Sequence, residues 1–375
     1  MVSEALAGVR RASPADNELL VELMAHVPMA GDASSFALST RRDPDFFALY
    51  EMQRGSAHGF VYDDGKMAGM ATALVRDGFL DERAGPVGYL GDLRIRGVSR
   101  ARRAFPFLYG KFFKDICDET GCESYLTGVL ASNAVALSSL TARKKGRDAQ
   151  PYYHPLRQFE MASIQLVLPR RARTISGVDV RTATPDDVPA LAAFLARDHL
   201  QRPFGYRFDD GELEHRLARW PGFALEDTFV ARAGDRIVGV CTAWDASPVK
   251  RYRVERYPRD MKAIKLAVDV ASVVLRCPRL PREGEDFRSL YLTNLSIADD
   301  SPVVLRALLE RVYARAWQRR VHFFSLPLYE NDPLARALKG FVVRRIGFHL
   351  YAVTSSATPR TDWPAGRPGF EMALA

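Results

Sequence analysis

The strongest constraint on this chain is that it begins twice. Val9–Asp16 reads VRRASPAD and Val180–Asp187 reads VRTATPDD, with five of eight positions identical and Ser13 facing Thr184. Further blocks follow in the same order. At a spacing of roughly 170 residues, GFVYDDGKMAGMATALV (Gly59–Val75) faces TFVARAGDRIVGVCTAW (Thr228–Trp244), so Gly69 meets Gly239 and Thr72 meets Thr242. YLGDLRI (Tyr89–Ile95) then faces YLTNLSI (Tyr291–Ile297), and SYLTGVLASN (Ser124–Asn133) faces HFFSLPLYEN (His322–Asn331). Matched blocks in a fixed order describe a duplicated unit. The offset grows by about thirty residues before the third block, which locates an insertion at 247–289.

Each unit reads as strand, helix, variable segment, hairpin, long strand, helix, strand, helix, strand. Asp-Gly in the first hairpin and Gly-Asp in the second are turn signals. ADNELLVELMAHV has helical spacing after the Ser13-Pro14 start signal, and FPFLYGKFFKDICDETG places Leu108, Phe112, Phe113 and Ile116 on one helical face. PVVLRALLERVYARAWQRR mirrors it in the second unit. These patterns predict domains at 1–167 and 178–375, joined by the basic linker LPRRARTISG at 168–177. The insertion reads as a helix between basic and proline-rich loops. The tail from Ser355 to Ala375, rich in Pro, Gly and Ser, reads as a surface-wrapping or mobile segment.

A length of 375 residues and a hydrophobic content of 47% suffice for two cores. The net charge of +8 suits an anionic partner: a nucleic acid, an anionic surface or a small anionic ligand. The four cysteines form no C-x-x-C pair and no zinc spacing, so reduced buried thiols are expected and no metal. The apolar run Ile264–Leu275 is broken by Lys265 and Asp269 and is too short to span a bilayer. With no apolar leader at the start, a cytoplasmic location and no membrane partner are expected.

This order of elements, fronted by V-R-x-A-[S/T]-P-x-D, resembles the GCN5-related N-acetyltransferase (GNAT) family over about Val9–Leu166 and Val178–Val353. The resemblance implies an α/β fold with a mixed α+β sheet: two GNAT-like domains, each a mostly antiparallel central sheet with a splayed pair of strands and flanking helices. It implies acyl-CoA in the gap between the splayed strands. The pyrophosphate would sit at the next helix N-terminus, on a loop of form [R/Q]-x-x-G-x-[G/A], where backbone N–H groups and the helix dipole supply positive charge.

Carried onto this sequence, the cofactor-binding candidates are the backbone of Leu93, Arg94 and Ile95 together with Arg96, Ser99, Arg100, Ala101, Arg102, Arg103 and Asn133. The loop has two registers, RGVSRA (Arg96–Ala101) and RARRAF (Arg100–Phe105), both poor in glycine and rich in arginine. Guanidinium groups can replace loop contacts to phosphate. In the second unit Asp299 and Asp300 stand where the pyrophosphate would lie, and carboxylates repel it. Asp92 is the candidate general base, with an ion pair to Arg94 or a loop arginine as the other reading. Its counterpart Asn294 takes no proton at neutral pH. Tyr152 and Tyr153 are candidates to reprotonate the thiolate, or packing residues. Asn133 either contacts the cofactor or caps a helix, and Asn331 reads as a cap. The segment 29–52 would line the acceptor site, and its Arg41, Arg42, Asp43 and Asp45 give no charge preference.

The function expected on this resemblance is acyl-CoA-dependent N-acyl transfer. Acetyl-CoA would donate to a small-molecule or peptide amine by direct attack in a ternary complex, with the first unit active and the second degenerate. Two alternatives stand beside it: a non-catalytic tandem protein that binds CoA or another anion, and an aminoacyl-tRNA-dependent transferase, whose tRNA the +8 charge would suit.

Overall fold

The two openings fold alike, for one electrostatic reason. β1 (Val9–Arg11) and β8 (Asp179–Thr182) each run into a single 3-10 turn with proline at its first positions. Asp16 accepts from the Ser13 backbone at 2.8 Å and is forked by Arg10 at 2.5 and 2.7 Å. Asp187 accepts from the Thr184 backbone at 2.8 Å and is forked by Arg181 at 2.6 Å on both oxygens. The repeated Arg, Ser/Thr, Pro and Asp are thus a capping box closed by a bidentate pair. The hydrogen bonds from Arg10 and Arg181 hold both carboxyl groups well below the ordinary aspartate range.

This computed structural model describes residues 9–26, 37–63, 67–96, 99–142, 150–171, 173–275, 277–355, 363 and 366–375, with backbone only at 37, 99–108 and 260. The first half continues with α1 (Asn17–His26), β2 (Ala37–Arg41), α2 (Ala48–Glu51), β3 (Ser56–Asp63), β4 (Met67–Leu80), β5 (Arg83–Ile95), α3 (Ser99–Thr120), β6 (Ser124–Leu130), α4 (Ala134–Thr141) and β7 (Tyr152–Gln165). After β8 come α5 (Val188–Leu200), β9 (Gly205–Tyr206), α6 (Glu212–Arg219), β10 (Thr228–Ala233), β11 (Arg236–Trp244), β12 (Arg251–Arg256), α7 (Arg259–Leu275), β13 (Ser289–Ile297), α8 (Pro302–Gln318), β14 (Phe323–Tyr329) and β15 (Val343–Thr354).

One sheet runs through both halves in the order β1-β3-β4-β5-β6-β15-β7-β14-β13-β11-β10-β8. Neighbours are antiparallel except for β5 with β6 and β13 with β14. This is the mixed, mostly antiparallel sheet with flanking helices that the sequence predicts. At its centre the last strands of the halves change places. β15 lies between β6 and β7, and β7 pairs with β14. Each half is therefore completed by the other, and β7 and β15 bury Phe159, Met161, Phe348 and Leu350 in a shared central core.

The sheet splays at both parallel pairs. β5 and β6 pair at Gly88↔Tyr125 and Tyr89↔Leu126, and β13 and β14 from Ser289↔Phe323 to Tyr291↔Ser325. Beyond these necks each pair parts. At the first neck a Cβ on Gly88 would lie 2.0 Å from the Tyr125 ring, so only glycine fits. Just past each neck is a bulge. The β4/β5 register shifts between Met70 and Thr72, and the β11/β13 register between Val240 and Thr242. The bulge residues Asp92 and Asn294 have φ of 47° and 51°. Asp and Asn are the non-glycine residues that best tolerate this left-handed conformation.

α3 covers one face of the first half with Phe112, Phe113 and Ile116, and α1 covers the other with Leu20, Leu23 and Met24. Leu108 lies outside the described side chains. α8 covers the second half. The insertion departs from expectation: its basic segment 251–256 is a strand, β12, paired antiparallel with β2 of the first half. The tail departs further. Phe370, Met372, Ala373 and Leu374 are buried, because they wedge between the halves. The cysteines are free and Cys122, Cys241 and Cys277 are buried, with burial raising the Cys241 thiol to about 12.

Candidate functional site

The first bulge carries a buried charged cluster. Arg42, 1% exposed, pairs with Asp92 through Nη1 to Oδ2 at 2.9 Å and donates Nη2 to Oδ1 at 3.2 Å. Tyr50 donates its hydroxyl to Oδ2 and lies 2.7 Å from Thr72 Oγ1. The Arg42 guanidinium also stands 5.4 and 5.2 Å from the ring centres of Phe46 and Tyr50. Burial alone would raise the Asp92 pKa. Arg42, then Arg94 and the Tyr50 hydroxyl, outweigh it and hold the carboxylate below its ordinary range. Asp92 thus occupies the expected place, but both of its oxygens are engaged and its affinity for a proton is low. Its partner is Arg42, not the Arg94 or loop arginine the sequence suggested.

Among the neighbours of Arg42, Arg41 pairs with Glu255 at 2.8 Å, Asp43 takes Arg251, and Asp45 accepts from the Phe47 backbone at 2.8 Å. Arg42 is the first residue after β2 and is buried, whereas Arg41 at the strand's end pairs outward with Glu255.

The second half contributes Lys250, which the sequence reading missed. Its Nζ donates to the carbonyls of Met372 at 3.2 Å and Ala373 at 3.5 Å and to that of Ala375. It lies 5.7 Å from the Tyr291 ring centre. Burial, then Arg42, lowers its pKa to about 7, with Asp92 pulling the other way. Three carbonyl acceptors favour the charged ammonium, so Lys250 clamps the tail while remaining the group of this cluster that titrates nearest neutrality. Its signal in the sequence was a lysine inside a basic insertion without a counterpart in the first unit. Tail residues Phe370, Glu371 and Leu374 border a small hollow with Tyr50, Arg76 and Tyr89.

The cofactor-binding candidates divide. Leu93, Arg94 and Ile95 follow the bulge, where β5 has left β6, so the backbone on that edge has no strand partner among the described residues. The Nε atoms of Arg42 and Arg94 are buried without a hydrogen-bond partner among the described residues. Arg96 instead pairs with Glu22 of α1 at 2.8 Å. Ser99 opens α3, with Arg100, Ala101, Arg102 and Arg103 in its first turns. Their side chains lie outside the described residues, as do Gly97 and Val98. Asn133 caps α4, accepting from the Ala136 backbone at 3.0 Å, so the capping reading holds. Asn331 is corrected: Asp332 is the cap, accepting from the Leu334 backbone at 2.9 Å, and Asn331 takes a left-handed turn before it.

The tyrosines are not brought to the bulge. Tyr153 donates to the Tyr109 hydroxyl at 2.7 Å on the α3 face, and burial raises its pKa well above the ordinary phenol. Asp92 faces Tyr50 on the opposite side of the sheet. Tyr152 alternates away from Tyr153 along β7, and its ring stacks with His154 at 6.3 Å. β6 and β15 stand between β5 and β7, so neither tyrosine is brought beside Asp92.

The second bulge is built differently. Arg216, 0% exposed, donates to Asn294 Oδ1 at 2.6 Å and pairs with Glu212 at 2.7 Å and Glu371 at 2.6 Å. It also contacts the rings of Tyr206 and Trp220, with centres at 4.5 and 4.4 Å. The wedge beyond it holds a cavity of about 40 Å³ and is lined by the tail from Arg367 to Ala373. Arg202 donates to the Leu295 carbonyl at 2.9 Å. Arg367 reaches Asp300 at 2.8 Å and Asp332 at 3.0 Å. Asp299 and Asp300 lead into α8, whose N-cap is Ser301 with Pro302 behind it.

No family model and no curated protein matches the chain. Solved structures do. A GCN5-related N-acetyltransferase from Sphaerobacter thermophilus aligns over 97% of this chain and 97% of its own, at 16% identity and a TM-score of 0.57. Saccharomyces cerevisiae N-myristoyltransferase with bound myristoyl-CoA aligns over 94% of this chain and 84% of its own, at 11% identity and a TM-score of 0.61. A GCN5-related glucosamine N-acetyltransferase region of a fungal multi-domain GH3 beta-N-acetylglucosaminidase aligns over 92% of this chain and 38% of that one, at 12% identity and a TM-score of 0.59. The fold is therefore the GNAT fold, shared by N-acetyltransferases and N-myristoyltransferases, as the sequence resemblance implied. Among the described residues no His, Cys, Asp or Glu group gathers as a metal site, and no helix is long and apolar enough to cross a membrane.

Proposed function

We propose that this protein is an acyl-CoA-dependent N-acyltransferase, transferring acetyl from acetyl-CoA to a small-molecule or peptide amine, with the first half as the active one. The observation that carries the proposal is the wedge past Gly88, which opens onto a bulge with unpaired strand backbone and a buried cluster of mixed charge. The named activities of the structural neighbours support the same reaction class.

In this reading the thioester lies along the freed edge of β5. The backbone N–H groups of Leu93 to Ile95 face the carbonyl oxygen, where charge develops as the amine attacks. Arg100, Arg102 and Arg103, at the start of α3, meet the phosphates. Asp92 serves as a fixed anion rather than as the proton acceptor. It holds Arg42 and Tyr50 in place and offsets the positive field of Arg94 and Lys250. The proton the amine loses is taken by Lys250, whose pKa burial lowers to about 7, once it leaves the tail carbonyls it holds in the structure.

The test is steady-state transfer from acetyl-CoA to a panel of amines and peptides. The reading expects kcat/KM to rise through a pKa near 7, and Lys250→Met to remove that limb while leaving acetyl-CoA binding in place. Binding of acetyl-CoA without turnover on any amine would contradict the assignment.

A further inference from the structure

Helix α7 is amphipathic the wrong way round. Its inward side carries Met261, Lys265, Val268, Asp269 and Ser272, half-buried, with Lys265 paired to Asp269. Its outward side carries Leu266, Val270, Val273 and Val274 at 67, 64, 81 and 80% exposure. Leu266, Val270, Val273 and Val274 follow the i, i+4, i+7, i+8 spacing of one helical stripe. Contiguous exposed apolar patches rimmed by polar residues mark interaction or membrane-contact sites once they exceed a few hundred Å². The valines also lower helix propensity at positions where the chain itself gives them nothing to pack on.

The charge around this stripe selects the partner. Arg259 and Lys262 share the outward side at the N-terminal end of α7, and Arg256 precedes them. All three are exposed and have no ion-pair partner among the described residues. Cations at a helix N-terminus oppose the helix dipole, so they do not serve helix stability. A basic end continuous with an apolar stripe suits a helix lying in the plane of an anionic lipid surface. Self-association through the same face would bring together two chains of net charge +8.

We propose that the outward face of α7 docks the protein on an anionic membrane surface, with the valine stripe in the acyl boundary and Arg256, Arg259 and Lys262 on lipid phosphates. This departs from the expectation of no membrane partner, which rested on the lack of a spanning segment. β12 links α7 directly to Lys250, so the docked face would lie about one strand length, roughly 20 Å, from the site. An acceptor held at the bilayer surface would be within reach.

Co-sedimentation of the full chain with phosphatidylcholine vesicles, with and without about a third phosphatidylglycerol, tests this. Binding is expected to be at least about ten-fold stronger on the anionic vesicles and to weaken with salt. Arg259→Gln with Lys262→Gln should weaken it about 30-fold, at about five-fold per charge. Val270→Ser with Val273→Ser should weaken it about ten-fold at any salt. Both variants alter outward side chains, and circular dichroism would show them folded. Equal binding to both vesicle types, no binding, or full binding by the valine variant would overturn the proposal. So would a dimer in sedimentation velocity that the valine variant abolishes, since the stripe would then be a contact between copies.

Discussion

At the first bulge the negative charge sits on the strand itself. At the second the strand offers an amide and the charge is brought from elsewhere. Asp92 and Asn294 occupy the same place, adopt the same left-handed turn and meet a buried arginine lodged among aromatic rings. Arg42 is answered by Asp92, whereas Arg216 is answered by Glu212 from α6 and Glu371 from the tail. The conformation was retained in both halves while the electrostatics diverged. Both bulges keep a buried guanidinium nitrogen without a hydrogen-bond partner among the described residues, Nε of Arg42 at the first and Nη2 of Arg216 at the second, so the difference lies in what borders them. Beside the first lies strand backbone without a strand partner among the described residues. At the second, Arg202, Arg367 and the tail take up the same region.

The largest expected effect sharpens this contrast. Arg216→Met leaves Glu212 and Glu371 buried without their cation and should cost about 3–5 kcal/mol in urea unfolding, while the rate per folded molecule stays within about two-fold. Asp92→Asn keeps the bulge but strands Arg42, so it should cost about 3–5 kcal/mol in unfolding and lower kcat/KM for acetyl transfer with acetyl-CoA still bound. Asn294→Asp should leave the rate within about two-fold; equal losses from the two changes would erase the distinction between the halves. A pH slope in stability of similar size to the first effect tests the Asp92 cluster. Unfolded Lys250 keeps its proton up to about 10.5, while in the fold it releases it near 7. Between those values the unfolded state binds more protons, so stability should rise with pH from about 7 toward 10. Lys250→Met should flatten that rise in unfolding titrations. Gly88→Ala should cost about 1–3 kcal/mol as Tyr125 is pushed from the neck, and should weaken acetyl-CoA binding.

The duplication, the hairpins and the two large helices were legible because each is written in local periodicity or in block matches between the halves, whereas the splayed strands came from the family resemblance. The correspondence of Asp92 and Asn294 was legible too, but its first meaning is conformational: both residue types tolerate positive φ at a bulge. The exchange of β7 and β15 left no such mark, since an apolar strand does not name its neighbour. The tail was misread from its Pro, Gly and Ser content. Its signal was the apolar cluster Phe370, Met372, Ala373 and Leu374 at the end, whose last three residues form a buried 3-10 turn. Arg42 was hidden among Arg41, Asp43 and Asp45, because which of two adjacent arginines turns inward depends on where β2 ends. Tyr152 and Tyr153 matched in residue type, and the insertion of β15 between β6 and β7 set them two strands further from the cluster.

The claim on which the account rests is that acyl-CoA enters the first wedge alone. Hydrogen–deuterium exchange of the full chain with and without acetyl-CoA reads this at the backbone. Slowed exchange confined to Leu90–Ile95 and the first turns of α3, with Leu292–Ile297 unchanged, is the predicted result. Protection at Leu292–Ile297, alone or to an equal degree, would contradict it.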